Sequence, residues 1–160
     1  MGDEKRVFKT TQYGMIVWTF LVAALHILIF KRLVDVGLPT WARALMPLGA
    51  IIITLPLHEV IHFIFMKMFY RGKVVIEAGK DPNGLPGLRT RPDGNFFVST
   101  KKWQRVVCWL APLFFLTICV DIAIPFAGKA ALPLLIIAVA NAAGCYYDVF
   151  DVLNMLFRKG

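Results

Sequence analysis

The chain has 160 residues, enough for one domain, and 58% of them are apolar, with a mean hydropathy of +0.66. Several apolar runs approach the roughly 20 residues that cross a bilayer, so the composition excludes an ordinary soluble fold. The net charge of +8 does not indicate nucleic-acid binding, because basic residues cluster at the ends of apolar runs and no basic groove interleaved with aromatics is visible.

Four apolar segments are predicted to span the membrane, which makes the chain an all-α membrane protein formed by a single polytopic domain, residues 1–160. The first span, about Tyr13–Phe30, follows a basic N-terminus but exceeds a signal peptide's apolar core in length and has no cleavage site, so we expect it to be retained. The other spans are predicted at about Ala42–Tyr70, Trp103–Phe126 and Ala131–Phe157. The three cysteines lie within apolar runs and do not indicate a disulfide framework.

The one long polar segment, residues 71–102, lies between the second and third spans. Residues 81–84 and 91–94 carry strong turn signals, while residues 73–77 and 95–99 have strand composition. These patterns predict a small β-hairpin or sheet at the membrane surface, with an irregular solvated loop as the alternative. Strand-like residues here could also hold an unwound substrate as an added strand, which proline at Val75 or Ile76 would prevent.

The distribution of Lys and Arg predicts the orientation in the membrane. If the N-terminus is cytoplasmic, 14 of the 18 basic residues lie inside and 4 outside. This asymmetry favours a multi-pass protein of the cell membrane with both termini in the cytoplasm. The basic residues of segment 71–102 are then topology determinants and contacts to anionic lipids.

The second span contains the motif His58-Glu59-Val60-Ile61-His62, an H-E-x-x-H pattern. On a helix the two histidines project from one face one turn apart, the spacing that two imidazoles need to bind one zinc ion. Glu59 stands beside them, where it can act on a zinc-bound water. Ionisable groups in a membrane span are costly, so we expect a functional metal site, the alternative being a buried hydrogen-bonded His58–Asp148 pair without metal.

A catalytic zinc site needs a third protein ligand, for which the later spans offer Asp121, Asp148 and Asp151. Asn141, Cys145 and Asp148 form a polar stripe on one predicted helix face, and Asp151 points about 60° away from its centre. His62 lies nine residues before Arg71 and Asp148 lies ten before Arg158.

At 1.5 Å per residue both His62 and Asp148 are expected roughly 14–15 Å from the inner boundary. Asp121 is expected near the outer boundary, solvated, whereas His26 on the first span is expected to be an interhelical or interfacial histidine. Depth therefore favours Asp148 as the third ligand, and Asp151 is expected to support the site or face its cavity rather than bind metal.

The motif at residues 58–62 together with Asn141-x-x-x-Cys145-x-x-Asp148 resembles the putative zincin peptidase family of small bacterial membrane proteins, which is itself similar to the site-2 intramembrane metalloproteases. The resemblance implies a zinc-dependent protease that uses His58, His62 and Asp148 as ligands and Glu59 as the catalytic base. The late motif differs from that of site-2 proteases, since no proline follows Asn141 and Val149 follows Asp148.

The expected function is intramembrane proteolysis: zinc holds a water, Glu59 takes its proton, and a membrane-embedded or membrane-proximal peptide is hydrolysed. Asn141 is expected to bond a ligand or substrate, and Cys145 to pack beside it. The expected partners are the lipid bilayer and a membrane protein or peptide substrate, with no nucleic acid; the sequence does not predict an oligomeric state.

Two other classes of function compete with this interpretation. A metal transporter would need ligands on both sides of the membrane, and the outer half of the chain has few. A non-catalytic membrane scaffold, or another metal-binding protein with a structural zinc, is the main alternative.

Overall fold

A computed structural model describes residues 2–30, 39–80 and 86–157. Within these ranges the chain forms helices and one β-hairpin: α1 (Gly2–Phe30), α2 (Thr40–Phe69), β1 (Val74–Lys80), β2 (Pro86–Pro92), α3 (Phe96–Ser99), α4 (Lys102–Leu113), α5 (Cys119–Ala123), α6 (Ala131–Gly144) and α7 (Tyr146–Phe157). A π-helical segment, Phe114–Ile118, joins α4 to α5, and two 3₁₀ turns, Ile124–Phe126 and Gly128–Ala130, join α5 to α6.

Three stretches of helix are long and apolar enough to cross a membrane, namely Tyr13–Phe30, Leu45–Phe69 and Lys102–Phe126. Helices α6 and α7 together with the turn before them pass the same test as a bent pair, which gives up to four spans. The predicted fold class, a helical membrane protein with about four spans and a small hairpin between the second and third, is confirmed.

The last span is not the single helix that the sequence predicts over 131–157. It breaks at Cys145 and bends by 44°. The backbone of Cys145 has ψ close to 2°, outside the helical range, so the axis changes direction there. Asn141 and Asp148 consequently lie on two different helices that meet at the break.

Helix α2 lies at the centre of the molecule, in contact with α4, α6 and the hairpin. It is one continuous helix, and it contains Pro47 and Pro56. Helix α1 packs on α6, where the Trp18 Nε1–H donates to the carbonyl of Ala142 at 2.7 Å.

The hairpin pairs β1 with β2 in antiparallel register, with Ile76 opposite Thr90 and Ala78 opposite Leu88. The predicted turn at 81–84 lies outside the described residues. The predicted strand at 95–99 is wrong, because those residues form the short helix α3. The second strand instead begins earlier, at Pro86, a region in which glycine and proline weaken the strand signal.

The base of the hairpin is closed by Asp93. Its carboxylate accepts hydrogen bonds from the Tyr70 hydroxyl and from the backbone N–H groups of Lys73 and Asn95, the latter two at 3.0 and 3.1 Å. This bonding lowers the pKa of Asp93 and raises the pKa of Tyr70 to about 12, chiefly through the bond between the two side chains. The hairpin is thereby fixed to the end of α2, next to the site described below.

Candidate metal centre

The two motif histidines of α2 meet Asp148 of α7. The Nε2 atom of His58 lies 3.2 Å from Asp148 Oδ2, and the Nε2 atom of His62 lies 3.4 Å from Asp148 Oδ1. The two Nε2 atoms are 3.1 Å apart. His62 and Asp148 are both buried, with 3% and 9% of their surfaces exposed. The structure thus brings together the three residues that the sequence predicts as metal ligands.

The second nitrogen of each imidazole is anchored by another helix. His62 Nδ1 lies 2.8 Å from the carbonyl oxygen of Cys108, and His58 Nδ1 lies 3.0 Å from Asn141 Oδ1. A carbonyl oxygen only accepts, so each Nδ1 carries a hydrogen, and in the neutral imidazole this leaves the lone pair on Nε2, the nitrogen next to Asp148. This is the tautomer that metal-binding histidines adopt when a neighbouring acceptor orients the ring.

The orientation of the Asn141 amide is itself fixed. Its Nδ2 group donates to the carbonyl of Pro112 and to the hydroxyl of Thr117, both at 2.9 Å, so Oδ1 must face His58. Asn141 is 1% exposed. Asn141 is thus hydrogen-bonded to His58, a predicted metal ligand, and a bond to a ligand is one of the two roles that the sequence analysis expects for Asn141.

The Cys108 carbonyl is available to accept a hydrogen bond from His62 because a proline follows it in the helix. In a regular helix the Cys108 carbonyl would bond to the N–H four residues later, but that residue is Pro112, which has no N–H. The π-helical segment begins two residues beyond, at Phe114. Sequence reasoning missed this contribution, although the spacing between Cys108 and Pro112 could have revealed it.

The donor set fits a zinc ion. Two lone-pair nitrogens and a carboxylate within 3.1–3.4 Å of one another repel unless a cation or a proton lies between them. Two imidazoles and one carboxylate, with a further position left open, form the ligand set of many catalytic zinc sites.

Cys145 is a competing ligand. Single ligand atoms of His58, Cys145 and Asp148 all lie within 4.8 Å of one another. However, Cys145 Sγ lies 3.9 Å from Nδ1 of His58, the nitrogen that is hydrogen-bonded to Asn141, whereas Nε2 of His58 is the nitrogen next to His62 and Asp148. We therefore favour His62 over Cys145 as the second ligand.

Glu59 is held by the hairpin. Its Oε2 atom accepts a hydrogen bond from the backbone N–H of Thr90 at 2.5 Å, and its backbone carbonyl accepts one from Thr90 Oγ1 at 2.8 Å. Sequence reasoning did not identify Thr90, because a contact over 31 residues between a loop segment and a span leaves no local pattern. Glu59 is close to the histidines and bonded to strand β2.

A cavity of about 360 Å³ lies between the hairpin and the helices. His58, Glu59, His62 and Asp148 line it, and so does Asp151, as expected for a cavity-facing carboxylate. The remaining walls come from both strands and from α4, α6 and α7: Gly79, Gly87, Leu88, Arg89, Thr90, Trp109, Gly144 and Tyr147. The candidate ligands and Glu59 therefore share one space large enough for part of a peptide.

Asp121 is not part of the site. Its Oδ2 atom lies 3.2 Å from Nε2 of His26, which places it in a contact between α5 and α1. Asp121 is therefore paired, not simply solvated as expected, whereas His26 takes the interhelical role that the sequence predicts.

The protein family can now be assigned. A family model described as "Putative zincin peptidase" matches residues 51–160, which include the H-E-x-x-H motif, the hairpin and Asp148. No curated protein and no solved structure matches the chain. Because the match covers more than half of the sequence, the chain belongs to the putative zincin peptidase family.

Proposed function

We propose that the protein is an intramembrane zinc metalloendopeptidase that hydrolyses peptide bonds of membrane-embedded or membrane-proximal substrates. The observation that carries the proposal is the convergence of His58, His62 and Asp148 in one buried cluster, with Glu59 beside it on the same cavity. Family membership supports a metallopeptidase chemistry.

In this proposal His58, His62 and Asp148 hold zinc, which when bound supplies Lewis acidity towards a water molecule and the scissile carbonyl. Glu59 accepts the proton of the attacking water at its carboxylate and returns it to the leaving amine. Glu59 follows His58 directly in α2, so the helix presents its carboxylate at the edge of the cluster and not towards its centre.

The site lies within helices that can span a membrane, so the substrate must enter the bilayer region or lie at its surface. We infer that the hairpin side is cytoplasmic, as the excess of Lys and Arg in segment 71–102 favours. A substrate helix would have to unwind locally, because its carbonyls are otherwise bonded within the helix.

The alternative is a membrane scaffold with a structural zinc. A structural site is closed by four protein ligands and has no need of a neighbouring carboxylate or of open space. Here Glu59 and a cavity of about 360 Å³ border the three ligands, which favours catalysis.

The test is the Glu59→Gln variant, with Glu77→Gln as the matched control. Both replace one glutamate, but Glu77 pairs with Arg91 on the exposed hairpin, 3.0 Å away. We expect about one zinc ion per chain in wild type and in both variants. New peptide termini in membranes from producing cells should be present with wild type and Glu77→Gln and absent with Glu59→Gln.

Full retention of cleavage by Glu59→Gln would exclude Glu59 as the base. Absence of zinc from the wild type after metal is supplied would contradict the proposed zinc peptidase function. Zinc without any new termini would favour the scaffold.

A further inference from the structure

The outer edge of strand β2 faces the cavity. The Asp93 N–H donates to the Lys73 carbonyl at 2.9 Å, which marks this pair as hydrogen-bonded within the ladder. Antiparallel ladders alternate between bonded and non-bonded pairs, so by the observed register the N–H and C=O groups of Leu88 and Thr90 point away from β1. The N–H of Thr90 indeed reaches Glu59 on α2.

This edge has the properties of a site for an extended peptide. Leu88 and Thr90 both line the cavity that contains His58 and Asp148. A free strand edge presents unpaired backbone groups in the pattern that another extended chain can match. An added strand at β2 would therefore run between the hairpin and the candidate metal centre.

Glu59 occupies part of this edge. Its carboxylate oxygen accepts from the Thr90 N–H at 2.5 Å, the same donor that the carbonyl of an added strand would use. One N–H cannot make a full-strength bond to both acceptors at once. Glu59 and an extended peptide thus compete for Thr90.

We propose that the β2 edge binds an extended segment of the substrate, and that a substrate carbonyl takes the Thr90 N–H from Glu59 and releases its carboxylate for proton transfer. This inference rests on the proposed peptidase function. It assigns to Thr90 a positioning role: its N–H holds Glu59 until substrate is bound. The second bond, from Thr90 Oγ1 to the Glu59 carbonyl at 2.8 Å, keeps β2 against α2 while the carboxylate moves.

The exchange selects for unwound backbone. A helical segment has its N–H and C=O groups bonded internally and cannot pair with β2, so it leaves Glu59 bonded to Thr90. The register also indicates that β2, and not the β1 residues Val75 and Ile76, is the strand that can receive substrate. Ile76 faces outwards on the opposite edge, on β1, and Val75 bonds within the ladder, so proline at those positions does not test the β2 edge.

The experiment measures binding of fluorescein-labelled β-casein, an unfolded polypeptide, to the zinc-loaded protein in detergent by fluorescence anisotropy. Glu59→Ala removes the competing acceptor, whereas Glu59→Gln keeps an acceptor oxygen for Thr90. Glu59→Ala should therefore bind the probe about fivefold more tightly than Glu59→Gln. Equal affinities of the two variants would overturn the proposal.

Proline variants in the Glu59→Ala background test the edge itself. Leu88→Pro removes an N–H that points to the cavity, and its register partner Ala78→Pro removes one that points away. We expect about fivefold weaker binding for Leu88→Pro, a smaller loss for Leu88→Ala, which keeps the N–H, and no change for Ala78→Pro. Pro92 already occupies the same kind of outward position on β2, so the ladder tolerates proline there.

Equal effects of the two prolines, or no binding of the probe by any variant, would overturn the inference. Because neither Glu59→Ala nor Glu59→Gln can perform the proposed chemistry, the comparison of the two variants is made without turnover. Failure of the edge therefore leaves zinc content and cleavage by the wild type intact, whereas failure of the proposed function appears in zinc content or in cleavage.

Discussion

Two histidine–carboxylate pairs lie in the membrane-spanning helices, and they are separated by the same distance but differ in their surroundings. His58–Asp148 and His26–Asp121 are both separated by 3.2 Å. The first pair has a second imidazole, His62, within 3.4 Å of the same carboxylate, whereas the second pair has no further imidazole among the described residues. A close pair alone is thus not evidence for a metal site.

The anchoring of the rings differs as well. His26 Nδ1 bonds to the carbonyl of Val22 in its own helix, at 2.8 Å. His58 and His62 are instead anchored by Asn141 on α6 and by the Cys108 carbonyl on α4, so three helices fix the geometry. Ligands held from different elements are preorganised for an ion, whereas His26 and Asp121 simply join α1 to α5.

The largest expected difference between the pairs is in zinc binding. Asp148→Ala should lower zinc affinity by more than the roughly 100-fold that loss of an outer partner causes, because it removes one of the three proposed ligands. Asp121→Ala, the matched control, should bind zinc like wild type. Zinc per chain and a competition titration with a chelator measure both, and equal loss in the two variants would contradict the assignment of the site.

The next largest effect concerns the anchor of His58. Asn141→Ala should weaken zinc binding about 10- to 100-fold, since the ring loses the acceptor that fixes its tautomer. Cys145→Ser should change zinc affinity little, because the thiol lies on the Nδ1 side of His58. If Cys145→Ser instead released zinc, the ligands would be His58, Cys145 and Asp148.

Much of this site could be predicted from the sequence, because its determinants are local. The i, i+4 spacing of His58 and His62 needs only a helix, and the apolar length around them identifies a span. Asp148 could be selected as the third ligand because it and His62 are expected at the same depth in two different spans. Asn141 was found by its spacing from Asp148, even though the helix that we assumed to connect them breaks at Cys145.

The remaining features depend on contacts between distant segments. Thr90 meets Glu59 only because the hairpin folds back over α2, and no periodicity in residues 71–102 encodes that approach. Strand β2 was misplaced because Pro86, Gly87 and Pro92 weaken its strand signal, while Phe96 and Phe97 strengthen a false one. Tertiary packing, not propensity, decided both outcomes.

The His26–Asp121 pair is expected to affect stability and not metal binding. Asp121→Ala or His26→Ala should lower the free energy of unfolding by about 1–2 kcal/mol, since each leaves a partly buried polar partner unpaired. Thermal unfolding in detergent of the wild type, the two single variants and the double variant gives the interaction free energy between His26 and Asp121. A coupling near zero would show that this pair does not hold α1 in place and that other contacts do, such as the Trp18–Ala142 bond to α6.

The smallest expected effect concerns the local stability of the hairpin base. It comes from Tyr70–Asp93, a polar pair outside the spans that can be compared with the two histidine–carboxylate pairs. The pKa of Asp93 is lower in the folded protein than in the unfolded chain, where it is about 3.9. The ionised carboxylate therefore stabilises the hairpin base at pH values above about 3.9, and this stabilisation is lost as the pH falls through the lowered pKa. The pKa of Tyr70, raised to about 12, adds stability below about pH 10 that is lost as the pH rises through 12.

The hairpin base should therefore be most protected between about pH 4 and 10. At neutral pH, Tyr70→Phe should speed hydrogen exchange at Lys73 and Asn95 less than about fivefold, and Asp93→Asn should speed it more, because Asp93 also binds those two N–H groups. Zinc content should be unchanged in both variants. If Tyr70→Phe released zinc, the hairpin base would be coupled to the metal centre, and the contrast between a site and a structural pair would no longer hold.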